Sequence, residues 1–143
     1  ICVIRDDKKV GSFPISWDGL CVAALKDGGN EVAVGGGDNL IHVYTLSGNT
    51  LTEKTTLEHL GPVTDLSYSP DNGYLVACDA NRKVLVYTLP SYEKFNKIEL
   101  TIPQSQVTGL VWMDNEKLVS AGHDGLTNLW CNFGDVDPNM IHM

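Results

Sequence analysis

The chain repeats one pattern three times, as Glu31-Val-Ala-Val-Gly-Gly-Gly-Asp38, Tyr74-Leu-Val-Ala-Cys-Asp-Ala-Asn81 and Lys117-Leu-Val-Ser-Ala-Gly-His-Asp124. Each copy is followed by a second apolar tract that ends in an aromatic residue, and these residues, Tyr44, Tyr87 and Trp130, are spaced 43 residues apart. An internal period of roughly 20 to 50 residues indicates an array of similar supersecondary units. The repeat alone therefore indicates a fold built from similar units in tandem.

Each unit consists of short apolar tracts separated by turn residues, which is typical of β-strands. In the middle unit Ser69-Pro-Asp-Asn-Gly73 predicts a turn, because proline presets φ and glycine tolerates a positive φ. We predict strands at Leu20–Leu25, Glu31–Val34, Leu40–Tyr44 and Leu51–Thr56 in the first unit, and at Val63–Tyr68, Tyr74–Cys78, Lys83–Tyr87 and Phe95–Leu100 in the middle unit.

The two ends of the chain are less regular. The third unit shows only three strands, at 106–112, 117–121 and 126–130, and residues 131–143 are predicted to form a tail. Residues 1–13 supply two strands of a preceding unit, Ile1–Ile4 and Lys9–Phe13. Because the chain opens inside an apolar run without an initiator methionine, we expect a fragment. The predicted units cover 20–56, 62–100 and 106–130.

Composition excludes several classes of protein. The formal net charge of −8 repels nucleic acids and anionic membranes, so neither is expected as a partner. No apolar stretch approaches the ~18 residues of a membrane-spanning helix, and we expect a cytoplasmic protein. The cysteines form no CxxC pair and no zinc spacing, so neither a disulfide framework nor a metal site is predicted; they are Cys2, Cys21, Cys78 and Cys131.

Histidines and acidic residues are the candidate catalytic or metal-binding groups of the sequence. Asp124 lies beside His123, a pairing that general acid–base catalysis uses. The same carboxylate recurs as Asp38 in a unit without that histidine, and a short acceptor in such a turn satisfies backbone N–H groups. A structural role is therefore predicted, with no catalytic residue. His42 and His142 have no cysteine or carboxylate at ligand spacing.

Two further features have a structural and a functional interpretation. Gly35-Gly-Gly-Asp38 has the composition of a phosphate loop, but it lacks a following Gly-Lys-Ser/Thr and leads into a strand, so no cofactor site is predicted. Trp112 and Trp130 close strands and are predicted core residues. Trp17 lies in a connection beside Pro14, where it is either packed within the chain or exposed as an interface anchor.

A period of 43 residues with four strands per unit matches the blade of a β-propeller. In this period and strand number the chain resembles the WD-repeat family. Glu58-His59 stands where the family usually has Gly-His, and Thr45, Thr88 and Cys131 follow the aromatic residue where the family usually has Asp. The resemblance implies an all-β WD-repeat β-propeller fragment, with about three four-stranded antiparallel blades plus part of a preceding one.

The resemblance also implies a hydrogen-bonded chain inside each blade, made by a His, a Ser or Thr, an Asp and a Trp. No unit has all four residue types. They map onto His59 of the middle unit and onto Ser120, Asp124 and Trp130 of the third. The remaining positions hold Ala77, Asn81 and Tyr87 in the middle unit, and Pro103 in the third.

Several tracts, in this order, resemble the actin-interacting protein 1 family of propellers: Val32-Ala-Val-Gly-Gly36, Gly61-Pro-Val-Thr-Asp65, Tyr68-Ser69, Val76-Ala-Cys-Asp-Ala80, Trp112 with Asp114, and His123-Asp124. The resemblance implies two linked seven-bladed propellers, of which this chain closes the second, and one further family repeat between the middle and last units here.

The same resemblance implies function through surface contact, without catalysis, a cofactor or a small-molecule substrate. The implied partners are actin filaments and cofilin, and the implied process is filament disassembly at the cytoskeleton. No binding residue can be carried over to this chain, so the partner-binding site is unknown. The alternative is a generic WD-repeat scaffold or adaptor in another multiprotein assembly.

Overall fold

The computed structural model describes residues 1–101, 106–123, 125, 127–131 and 139–142. All regular secondary structure in these residues is β-strand, which confirms the predicted all-β class. The strands are β1 (Cys2–Arg5), β2 (Lys8–Ser12), β3 (Gly19–Ala24), β4 (Glu31–Gly36), β5 (Leu40–Ser47), β6 (Thr50–Glu58), β7 (Val63–Tyr68), β8 (Tyr74–Asp79), β9 (Lys83–Thr88), β10 (Glu93–Thr101), β11 (Val107–Trp112), β12 (Lys117–Gly122), β13 (Thr127–Cys131) and β14 (Asn139–His142).

The strands form a two-stranded hairpin, β1-β2, and three four-stranded antiparallel sheets. Each sheet is a meander, with the orders β3-β4-β5-β6, β7-β8-β9-β10 and β11-β12-β13-β14. The three sheets repeat even the irregularity in their first pairing, where the register shifts before the pairs Cys21↔Gly35, Asp65↔Cys78 and Gly109↔Ala121. A bulge at the same place in each sheet shows that the sequence repeat extends to the backbone.

The last sheet differs from the prediction. β13 extends to Cys131, and β14 pairs with it from Asn139 to His142, so the predicted tail at 131–143 contains the fourth strand. A strand of four residues that follows a stretch rich in Gly, Asp and Pro has the local appearance of a loop. Its strand conformation depends on pairing with β13, which sequence patterning does not reveal.

The middle sheet is covered on both faces. Alternation along β8 directs Leu75 and Ala77 into a core shared with the first sheet, and Val76 and Cys78 into a core shared with the third. All four side chains are fully buried. Trp112 and Trp130 belong to the core between the middle and third sheets, which confirms the prediction that they are core residues.

Polar contacts also join the sheets, at related positions. The thiol of Cys21 donates to the carbonyl oxygen of Val63 at 3.5 Å, and the hydroxyl of Thr64 donates to that of Val107 at 2.9 Å. Asp65 Oδ2 accepts the N–H of Leu110 at 2.6 Å. These bonds satisfy backbone groups between sheets, where they would otherwise be costly to bury.

The contact between the first two sheets depends on the absence of a side chain at Gly35. A Cβ there would lie 2.4 Å from Cys21 Sγ and 2.7 Å from Val63 Cγ1, whereas a Cβ at Gly109 would have no heavy atom within 4 Å. We predict that Gly35→Ala lowers the free energy of unfolding by about 1–3 kcal/mol through overpacking. The matched control Gly109→Ala should change it by less than about 0.5 kcal/mol. Urea denaturation measures both, and equal effects would contradict the predicted role of Gly35.

Candidate functional site

A buried histidine–carboxylate pair lies at one end of the middle sheet. His59 occupies the connection between β6 and β7, and its Nδ1 lies 3.2 Å from Oδ2 of Asp79, the last residue of β8. Both side chains are fully shielded from solvent. The other carboxylate oxygen of Asp79 accepts the N–H groups of Asn81 and Lys83, at 2.9 and 3.0 Å. Asp79 therefore holds the turn before β9 and orients the imidazole.

The environment of His59 favours the neutral ring. Burial lowers the pKa of His59 below its usual value, the hydrogen bond and charge of Asp79 partly offset this, and the charge of Lys94 adds to the lowering. In the neutral tautomer that matches this geometry, Nδ1–H donates to Asp79 and Nε2 is an acceptor. Nε2 is buried and has no partner among the described residues.

The family resemblance maps the Asp of the hydrogen-bonded chain onto Asn81, but the acidic partner of His59 in the structure is Asp79. In the structure Asn81 donates its side-chain amide to the carbonyl oxygen of Leu60 at 2.7 Å, and Asp79 contacts the histidine. The first sheet has Gly36 at the position of Asp79, and a Cβ on Gly36 would lie 2.1 Å from Asp38 Oδ1. The Asp38 carboxylate therefore occupies this space in the first sheet, and Asp79 fills it in the second. The sequence does distinguish this position: the middle repeat has Asp79 where the other two repeats have glycine.

The third sheet keeps the complementary part of the family's hydrogen-bonded chain. Trp130 Nε1 donates to Ser120 Oγ at 3.0 Å, and both residues are buried. Asp124 and Pro103 lie outside the described residues. The middle sheet has Ala77 at the position of Ser120, so it has no hydroxyl there to serve His59.

His42 in the first sheet lies between two carboxylates. Its Nε2 is 3.0 Å from Asp38 Oδ2 and its Nδ1 is 2.7 Å from Glu53 Oε1, so the prediction that no carboxylate lies near it is wrong. The pairing of β5 with β6 brings Glu53 to this position. Trp17 stacks on the imidazole with ring centroids 4.0 Å apart. Of the two predicted alternatives for Trp17, packing within the chain is therefore the one that the structure shows. For His142 the structure describes only the backbone of β14.

A second buried network joins the first two sheets and was not anticipated from the sequence. Tyr92 donates its hydroxyl to Glu31 Oε2 at 2.6 Å and lies 2.8 Å from the hydroxyl of Tyr68. Lys54 forms an ion pair with Glu31, and its Nζ lies 5.1 Å from the centre of the Tyr92 ring. Burial raises the pKa of Tyr68 to about 12, which keeps its hydroxyl protonated as a hydrogen-bond donor.

The described part of the chain contains no group of three His, Cys, Asp or Glu side chains placed to hold a metal ion. It also contains no helix of the length and apolarity needed to cross a membrane. Cys2, Cys21 and Cys78 are free thiols.

Two stretches of the chain match a known family of repeats. Residues 51–88 and 97–131 match the family described as WD domain, G-beta repeat. The chain belongs to the WD-repeat family. The solved structure of U3-55K, with a TM-score of 0.77 over 90% of this chain and 40% of that chain, shares its fold at 17% sequence identity.

This WD-repeat chain is also similar to longer curated proteins. It is 36% identical to Actin-interacting protein 1 of Drosophila melanogaster, over 91% of this chain and 28% of that protein. It is 36% identical to WD repeat-containing protein 1 of Rattus norvegicus, over 91% of this chain and 22% of that protein. The chain thus spans about a quarter of the length of these relatives.

The two alignments differ in length. The Drosophila alignment covers 174 positions, more than the 143 residues of this WD-repeat chain, and the rat alignment covers 132. The Drosophila alignment is longer than the matched part of this chain by about the length of one 43-residue repeat, whereas the rat alignment is not. A further repeat in the family therefore stays a prediction.

The unpartnered His59 Nε2 predicts the effect of restoring a hydroxyl. We expect Ala77→Ser to raise the free energy of unfolding by about 1 kcal/mol, because the position matches Ser120 and the new hydroxyl can donate to the imidazole. Ala33→Ser, at another fully buried alanine, should lower stability by about 1–3 kcal/mol, since it buries a hydroxyl without this acceptor. Urea denaturation distinguishes the two. A loss of stability in Ala77→Ser as large as that in Ala33→Ser would contradict the predicted pairing.

The lowered pKa of His59 predicts a pH dependence. The unfolded chain takes up the histidine proton at a higher pH than the folded chain, so stability should fall as pH decreases below about 6.5. We expect His59→Gln to remove this part of the slope of unfolding free energy between about pH 7.5 and pH 5.5. His123→Gln, which removes an exposed histidine, is the matched substitution against which the effect of His59→Gln is compared. An unchanged slope in His59→Gln would exclude this residue as the titrating group.

Proposed function

We propose that the chain is part of an actin-binding WD-repeat protein that promotes cofilin-dependent disassembly of actin filaments. The observation that carries the proposal is the 36% identity to the Drosophila protein named Actin-interacting protein 1, across 91% of this chain. The matched region includes most of the three stacked sheets, so the similarity extends beyond a single repeat. The proposed location is the cytoplasm, at the cytoskeleton.

The proposed mode of action is surface contact without catalysis. Two buried polar side chains have structural partners: Asp79 holds the turn before β9, and Ser120 accepts from Trp130. His42 is held by two carboxylates and a stacked tryptophan. The proposal includes no cofactor, small-molecule substrate, nucleic acid or membrane, and the net charge of −8 supports the exclusion of nucleic acid and anionic membranes.

Two exposed apolar side chains offer a means to locate the contact. Leu60, 69% exposed, lies in the connection between β6 and β7, and Met113, 65% exposed, lies in the turn between β11 and β12. Because strand direction alternates within each meander, these segments lie at opposite ends of the sheets. Exposed apolar side chains at a surface are suited to contact a protein partner.

The test uses the full-length protein in a filament pelleting assay, with and without cofilin. We expect it to pellet with filaments and to increase the actin left in the supernatant when cofilin is present. Leu60→Asp and Met113→Asp form a pair matched in exposure, and the variant at the binding end should reduce pelleting about tenfold. Far-ultraviolet circular dichroism controls for folding. Full activity after deletion of residues 1–143 from the parent protein would refute a role for this region.

A further inference from the structure

The turn between β7 and β8 holds Asn72 and Gly73, which form the only Asn-Gly pair in the sequence. Asn72 has a φ of 57°, and its side chain reaches the turn of the first sheet between β3 and β4. Its Oδ1 accepts the N–H of Lys26 at 2.8 Å, and its Nδ2 donates to the carbonyl oxygen of Lys26 at 2.9 Å. We call these two bonds the Asn72 contact. We propose that Asn72 is a site of deamidation by water, that the Asn72 contact holds the reaction back, and that the reaction breaks the contact irreversibly.

An Asn-Gly pair is suited to this chemistry, because the glycine has no side chain to hinder approach to its backbone nitrogen. The nitrogen of Gly73 loses its proton to a base in the solvent and attacks Cγ of Asn72. A bond between this nitrogen and Cγ forms, the Cγ–Nδ2 bond breaks, and the leaving nitrogen takes a proton from water and departs as ammonia. Water then opens the cyclic imide at either of its carbonyls, which gives aspartate or isoaspartate. The reaction requires no oxidant, reductant or other reactant.

The folded turn holds both reacting groups away from this reaction. The N–H of Gly73 donates to Ser69 Oγ at 3.1 Å and to Asp71 Oδ1 at 3.0 Å. An N–H that faces a carboxylate is harder to deprotonate, because the carboxylate repels the negative charge that would form. The amide of Asn72 cannot turn toward Gly73 without losing both bonds to Lys26. Deamidation of the folded chain therefore requires the Asn72 contact to open first.

An asparagine makes a related contact at the same turn of the third sheet. Asn115 lies 43 residues after Asn72, and its Oδ1 accepts the N–H of Asp71 at 3.0 Å. The residue after Asn115 is Glu116, whose side chain hinders approach to its backbone nitrogen. Each of the two asparagines joins neighbouring sheets, but of the two Asn72 alone is followed by glycine. Asn115 is therefore a matched control within the same chain.

The products cannot restore the Asn72 contact. Aspartate has no N–H to donate, so a carboxylate oxygen would face the carbonyl oxygen of Lys26, and both are acceptors. Isoaspartate routes the backbone through the former side chain, which lengthens the turn and displaces the carboxylate. The apolar core between the first two sheets does not include Asn72, so the sheets should stay stacked while their turns separate. The reaction thus converts a reversible opening of these turns into a permanent one.

The first test follows the reaction at both asparagines in the full chain, folded and in urea, by mass spectrometry of proteolytic peptides. We expect Asn72 to react at least about tenfold more slowly in the folded chain than in urea, which corresponds to a local opening free energy of about 1.4 kcal/mol. In urea, where neither contact exists, Asn72 should react faster than Asn115. Equal rates at Asn72 in the two states would overturn the protection, and equal rates at the two asparagines in urea would overturn the assignment of the site.

Variants at Lys26 isolate the Asn72 contact from the rest of the turn. Lys26→Pro removes the N–H that Asn72 accepts, and Lys26 lies outside the pairing of β3 with β4. We expect Asn72 in this folded variant to react about fivefold faster than in the unaltered chain, the factor for one lost hydrogen bond, and at the same rate in urea. Lys26→Gln is the matched control, because it changes the same side chain and keeps the N–H, so both rates should stay unchanged. An unchanged folded rate in Lys26→Pro would refute the control of deamidation by this contact.

Hydrogen exchange gives a readout that remains if Lys26→Pro fails to fold. In the chain that has reacted at Asn72, the amide of Lys26 should exchange with solvent about fivefold faster than in the unreacted chain. The amide of Met113 donates to the carbonyl oxygen of Lys117 within the third sheet, and its exchange should not change. Unchanged exchange at Lys26 would mean that the product keeps the contact, which would overturn its irreversible loss. These measurements do not involve actin, so this proposal and the proposed function can fail separately.

Discussion

The stacking of one sheet on the next is the constraint on which the rest of the structure depends. β8 is buried on both faces, with Leu75 and Ala77 packed toward the first sheet and Val76 and Cys78 toward the third. A strand in this position has no face available for a solvated charge, so polar chemistry is displaced to its end, at Asp79. Small residues set the separation of the sheets, because a side chain at Gly35 would collide with both Cys21 and Val63.

This apolar frame explains why the polar network differs from sheet to sheet. The middle sheet keeps a histidine–aspartate pair, and the third keeps a serine–tryptophan pair. Because the cores between sheets hold the frame, neither pair has to be complete for the sheet to form. The consequence in the middle sheet is an imidazole with one satisfied nitrogen and one buried nitrogen without a partner in the described chain. Variation within a repeated fold has thus left this histidine–aspartate pair in the middle sheet.

The stacking of the sheets is consistent with the proposed action through surface contact. The sheets are joined by apolar cores, by bonds such as Thr64 to Val107, and by the Tyr92–Glu31–Lys54 network. These contacts hold the sheets together, and a surface ordered before binding loses less entropy when a partner binds. The relatives that share 36% identity with this chain are several times longer.

The sequence by itself determined the all-β class, the 43-residue period and the positions of the strands in the first two sheets. These features depend on turn residues and alternation within a few neighbouring positions. Only the tertiary structure decided that Asp79 and not Asn81 contacts His59, that Glu53 reaches His42, and that Asn139–His142 forms a strand. Each of these depends on backbone pairing or on a contact with a residue distant in sequence, 20 positions away for Asp79 and 11 for Glu53. Such contacts are set by how sheets pack, which the residue types in a single repeat do not specify.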